Sequence, residues 1–132
     1  MATLLCHIQI NPGKEREFEA VMKEMYRRTH AEEPHCIRYE YFRGAAENSY
    51  YNLMSFTEGY NFLEHQVSDY HEGFDFASMI ESLELEWVDP VGDASPLKPT
   101  EAAVVPDNAS DEIKVAQEAF MINVQSWWQG HR

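Results

Sequence analysis

Apolar positions change their period several times along the chain, and each change marks an element. From Thr3 to Ile10, Leu4, Cys6, Ile8 and Ile10 alternate with Leu5, His7 and Gln9, the period of a strand with one apolar face. Asn11-Pro12-Gly13 ends it in a turn. Phe18, Val21, Met22, Met25 and Thr29 then recur at helical spacing, with charged residues mostly opposite, so an amphipathic helix is predicted up to Pro34. Cys36 to Arg43 predicts a second strand, with Ile37, Tyr39 and Tyr41 on one face and Arg38, Glu40 and Phe42 on the other. Tyr50 to Thr57 supplies a third strand across a short polar loop, which makes an antiparallel hairpin. From Glu58 to about Glu81 the pattern is helical but interrupted, and two short helices with a break near Ser68 are expected. Leu83, Leu85 and Trp87 alternate with Glu84, Glu86 and Val88 in a fourth strand before Asp89-Pro90.

The order β-α-β-β-α-β is the ferredoxin-like α+β arrangement, with both helical layers on one face of a four-stranded antiparallel sheet. The other face is left open. Leu5, Phe42, Met54 and Phe56 are expected on it, and a second subunit or a further element should cover them. Residues 1–90 therefore form the domain, and 91–109 form a linker carrying Pro96, Pro99 and Pro106. Residues 110–132 are expected to form an amphipathic helix capped by Ser110, with Ile113, Ala116, Phe120, Val124 and Trp127 on the face that packs on its own or a partner subunit.

A length of 132 residues supports one hydrophobic core, and 44% apolar content supports a folded domain. The formal net charge is −13, and residues 44–97 carry eleven acidic side chains without one Lys or Arg. Nucleic acid and anionic lipid surfaces are poor partners for such a chain. No stretch approaches a membrane span, the N-terminus has no basic flank, and a cytoplasmic location is expected. Only Lys114 and Arg132 are basic in the C-terminal segment, against a membrane-surface helix. Cys6 and Cys36 lack metal or redox spacing and read as reduced, buried thiols.

Three features together resemble the antibiotic biosynthesis monooxygenase family of dimeric α/β barrels. They are a strand running into Pro12-Gly13-Lys14 and a Glu-rich helix; Glu32-Glu33-Pro34-His35-Cys36-Ile37 before Tyr39-Glu40; and His65 followed by Ser68-Asp69-Tyr70-His71. The resemblance covers residues 3–90 and implies a homodimer whose two sheets close into a barrel. It also implies oxygenase chemistry on quinols or polyphenols with O₂ and neither metal nor flavin, although many members have no assigned activity. The haem-degrading branch differs: its Asn, Trp and ligating His correspond here to Cys6, His65 and Asp75, so haem degradation is not expected.

Oxygenation of a phenol without a cofactor needs a base, because the anion passes an electron to O₂ far more readily than the neutral form, and donors that hold the anion in an apolar pocket. His65 is the leading candidate for the base. His71, six residues on, would lie about 600° around a continuous helix and on another face, but the break at Ser68 allows the two to converge. Either ring could instead cap the break or bond a carbonyl. His7 is expected inside the dimer barrel in a hydrogen-bonded role. Tyr39, Tyr41, Tyr51 and Asn52 could orient a phenolic ligand, although Tyr is also a common strand former. His71 and Asp75 stand at i, i+4 near Glu72 and His65 without completing a ligand set, so neither a metal nor another cofactor is expected. The two readings are thus a cofactor-independent monooxygenase acting on a small aromatic molecule and a non-catalytic, small-ligand-binding or stress-associated barrel.

Overall fold

The computed structural model describes residues 1–132. It contains β1 (Ala2–Ile10), α1 (Glu15–Glu32), β2 (Cys36–Arg43), β3 (Ser49–Phe56), α2 (Gly59–Gln66), α3 (Asp69–Glu72), α4 (Phe76–Met79), β4 (Ile80–Val88), α5 (Asp111–Ala119) and α6 (Ser126–Gln129). The four strands form one sheet in the order β2-β3-β1-β4, and every neighbouring pair is antiparallel. This is the ferredoxin-like α+β fold, in which each crossover skips a strand and places its helix on the same face.

Register decides which side chains meet the helices. Leu4 lies opposite Met54 and Trp87, and Cys6 opposite Asn52 and Leu85, so the even positions of β1 and β3 share the helix-covered face. Phe18, Met22, Met25 and Thr29 of α1 are buried against it. Each apolar side chain so buried contributes about 1.5–3 kcal/mol.

The open face carries Leu5, Leu53, His7 and Tyr51, which follow one another across β1 and β3. Phe42 is on this face, half exposed. Met54 and Phe56 are not, since both are buried on the helix side. The alternation of β3 could not separate the two faces because Tyr51, Leu53, Met54 and Phe56 make both of them apolar. Ile37 also departs from expectation: the register slips between Cys36 and Arg38, and Ile37 is exposed beside the bulge.

The C-terminal third folds back onto the domain. Thr100 is fully buried; its Oγ1 donates to the Val88 carbonyl (2.6 Å) and accepts from the Thr3 amide (3.2 Å), while its amide donates to Asp89 Oδ1 (2.8 Å). Arg132 donates to both Asp89 carboxylate oxygens at 3.0 and 2.7 Å and holds that carboxyl below its usual range. Ser110 caps α5 by accepting from the Ile113 amide. The helix is shorter than expected, however. It ends at Ala119, Met121–Gln125 is non-helical, and Ile122 and Trp128 are buried, whereas Trp127 is exposed.

No helix is long and apolar enough to cross a membrane.

Candidate active site

The interruption between α2 and α3 builds the centre of the site. Ser68 adopts an extended conformation, its Oγ donates to the His65 carbonyl at 2.8 Å, and its amide donates to the same oxygen at 3.2 Å. Ser68 therefore caps the break, and both imidazoles are left for other contacts. The chain turns so that the His65 and His71 ring centroids stand 5.0 Å apart at an interplanar angle of 72°.

The His65 side chain is fully buried between the rings of Tyr39 and Phe56. Its Nδ1 donates to Glu33 Oε1 at 2.8 Å. Pro34 places Glu33 there: the residue before a proline is driven out of helical geometry, and Glu33 is extended at the end of α1. The Tyr70 hydroxyl donates to the same carboxylate oxygen and lies 2.9 Å from the Thr29 hydroxyl. The carboxylate so engaged orients the His65 ring and turns its Nε2 away from Glu33. That Nε2 is buried and has no partner.

His71 stands on the cavity side of the pair. Its Nδ1 is also buried and without a partner, and Phe76 lies beside its ring. Burial, and secondarily the neighbouring His65, push the imidazole down to about 4, with Glu33 acting weakly in the opposite sense. His71 is consequently neutral at pH 7.

Between the sheet and the helical layer is a mainly apolar cavity of about 200 Å³. His71, Tyr39, Tyr41, Asn52 and Gln66 supply the polar groups of its wall, and Cys6 contributes a thiol. The Tyr39 and Tyr41 hydroxyls pair at 2.9 Å, and burial raises both phenols, so they stay protonated. Asn52 donates to the Glu40 carbonyl at 3.1 Å. Burial pushes the Cys6 thiol up to about 12, so it is no nucleophile at neutral pH.

Five of the six residues singled out in the sequence thus gather on one side of the sheet. His71, Tyr39, Tyr41 and Asn52 line the cavity, and His65 lies behind His71. Tyr51 is on the opposite face, where its ring is 5.2 Å from His7. His7 itself pairs with Glu86 at 3.2 Å on that open face. Nowhere do three or more His, Cys, Asp or Glu side chains converge in a way that could hold a metal ion. Sequence reading missed the roles of Glu33, Tyr70, Gln66 and Phe120. Only Glu33 left a signal, as an acid set immediately before a helix-ending proline.

Residues 1–75 match the family model for antibiotic biosynthesis monooxygenases. The chain belongs to that family. Solved structures agree on the fold. A Bacteroides thetaiotaomicron protein assigned to antibiotic biosynthesis monooxygenases aligns with a TM-score of 0.66 at 19% identity, covering 74% of this chain and 95% of its own. A similarly assigned Caulobacter crescentus protein aligns with a TM-score of 0.63 at 24% identity, covering 68% and 89%. A conserved protein of Methanosarcina mazei gives 0.61 at 18% identity, covering 66% and 89%. A search of curated protein sequences finds no match. The antibiotic biosynthesis monooxygenase match includes Glu33, His65 and His71, and it stops before β4 and the C-terminal segment.

Proposed function

We propose that the protein oxidises a one-ring phenol or quinol with O₂ inside the 200 Å³ cavity, with His71 as the base. The observation that carries this reading is a neutral imidazole, its Nδ1 unpartnered, in the wall of a mainly apolar cavity. The volume bears on the substrate, because a cavity of about 150 Å³ already holds benzene whereas ligand pockets for larger molecules run from about 300 Å³. The volume favours one ring over a fused polyketide.

His71 takes the phenolic proton, and the phenolate passes one electron to O₂. The resulting radical and superoxide join in a carbon–oxygen bond at a hydrogen-bearing ring carbon, para to the oxygen in a simple phenol and ortho to it in a quinol. Protonation of the outer peroxide oxygen, loss of the remaining hydrogen on that carbon as a proton and cleavage of the O–O bond give a quinone and one water. All four electrons come from the substrate, so no separate reductant is consumed. With Tyr39 donating to Tyr41, the Tyr41 O–H is free to donate to the substrate anion. Glu33, acting across His65, offsets the cost of the positive charge His71 acquires.

A homodimer joined through the open face, with Leu5 and Leu53 at its centre, belongs to this proposal, as does a cytoplasmic location. The second reading, a non-catalytic ring-binding site, draws on one observation: an imidazole pushed down to about 4 is a weak base. Oxygen uptake on a panel of one-ring and three-ring phenols and quinols separates them. Uptake with one-ring compounds supports the oxygenase, and binding without uptake supports the second reading.

A further inference from the structure

We infer that Phe120, in the C-terminal segment outside the family match, sets the size of ring that the cavity admits; this rests on the cavity being the ligand site proposed above. Two voids meet at this residue. The inner cavity of about 200 Å³ and an outer cleft of about 530 Å³ between the α2–α3 break and α5 share three lining residues: Gln66, His71 and Phe120. Gln66 and His71 flank the break, so Phe120 is the contribution of the C-terminal segment to the partition between them.

Phe120 is held in place. It terminates α5, with its amide bonded to the Ala116 carbonyl at 2.8 Å, and its ring meets Phe62 edge-on at 5.9 Å. The next residue is tied to the sheet, because Trp87 Nε1 donates to the Met121 carbonyl at 3.1 Å. Ile122 then packs into the space left by the missing side chain of Gly59, where an added Cβ would stand 2.5 Å from Ile122 Cδ1. Anchors on both sides fix the ring against the cavity, and a fixed wall discriminates by size where a loose one would yield.

Calorimetric titration of the full chain with phenol and 2-naphthol tests this without reference to turnover. Wild type should bind phenol in clear preference to 2-naphthol. Phe120→Ala, which joins the two voids, should shift the ratio towards 2-naphthol by at least about tenfold. Phe120→Leu should shift it in the same direction and guards against a folding defect in the alanine variant. Val115→Ala, on the outer cleft alone, should leave the ratio unchanged. An unchanged ratio in folded Phe120→Ala or Phe120→Leu, with phenol still bound by wild type, overturns the size filter and spares the cavity. If wild type binds neither compound, the ligand site fails and takes the filter with it.

Discussion

His71 gives the site a property that stability measurements can read. Its imidazole is pushed down to about 4 in the fold, against about 6.5 in an unfolded chain. Below pH 6.5 the unfolded chain takes up a proton that the folded one refuses, so this stabilising contribution is complete above that pH and disappears progressively as pH falls to about 4. The loss amounts to on the order of 2–3 kcal/mol. Denaturant unfolding of wild type and His71→Gln from pH 7 to pH 4 checks it: the difference between the two should move by that amount, and parallel curves would contradict the burial of the ring. The residues of the pair were legible in the sequence, since two histidines flanked a predicted break. Their convergence was not, because it depends on the turn at Ser68, whose angles no periodicity encodes. Glu33 escaped for a related reason: its target lies 32 residues away, and only the packed fold shows that the proline-driven exit from α1 aims it there.

The first strand and the first helix follow directly from period. Alternation in β1 and the stripe on α1 each have one apolar face, so sequence and burial agree. Elsewhere tertiary context prevails. The α2–α4 region yields to β4 at Ile80 where helix was expected to about Glu81, and the C-terminal helix stops at Ala119 because Met121 and Ile122 serve the sheet edge and α2 instead. Gly59 is a point at which α2 and the C-terminal segment approach closely. Gly59→Ala would bring a Cβ to within 2.9 Å of the Ala103 backbone as well as against Ile122. We expect it to destabilise the protein by about 1–3 kcal/mol, the usual cost of overpacking. Limited proteolysis should then cut preferentially within residues 101–132. Unaltered stability and protection would mean that the C-terminal segment is not anchored at α2.

At the scale of the whole molecule, the sheet has one face sealed by helices and one that presents Leu5, Leu53 and Tyr51 between acidic flanks at Glu40 and Glu86. Light scattering should give twice the 15.4 kDa chain mass, and Leu53→Glu, which sets a charge at the centre of the apolar strip, should give the monomer. A monomeric wild type would contradict pairing through this face. The charge of −13 narrows the partners without choosing among small neutral ligands, and that choice falls to the cavity. The chemistry proposed for it rests on one side chain. The most direct test is oxygen consumption with a one-ring quinol by wild type and His71→Ala, with ligand binding measured on the same samples. Wild type should consume O₂, and His71→Ala should bind the ring yet turn over at least about a hundredfold more slowly, as loss of a general base requires. Equal consumption by the two proteins, or none by wild type, would contradict the assignment of His71.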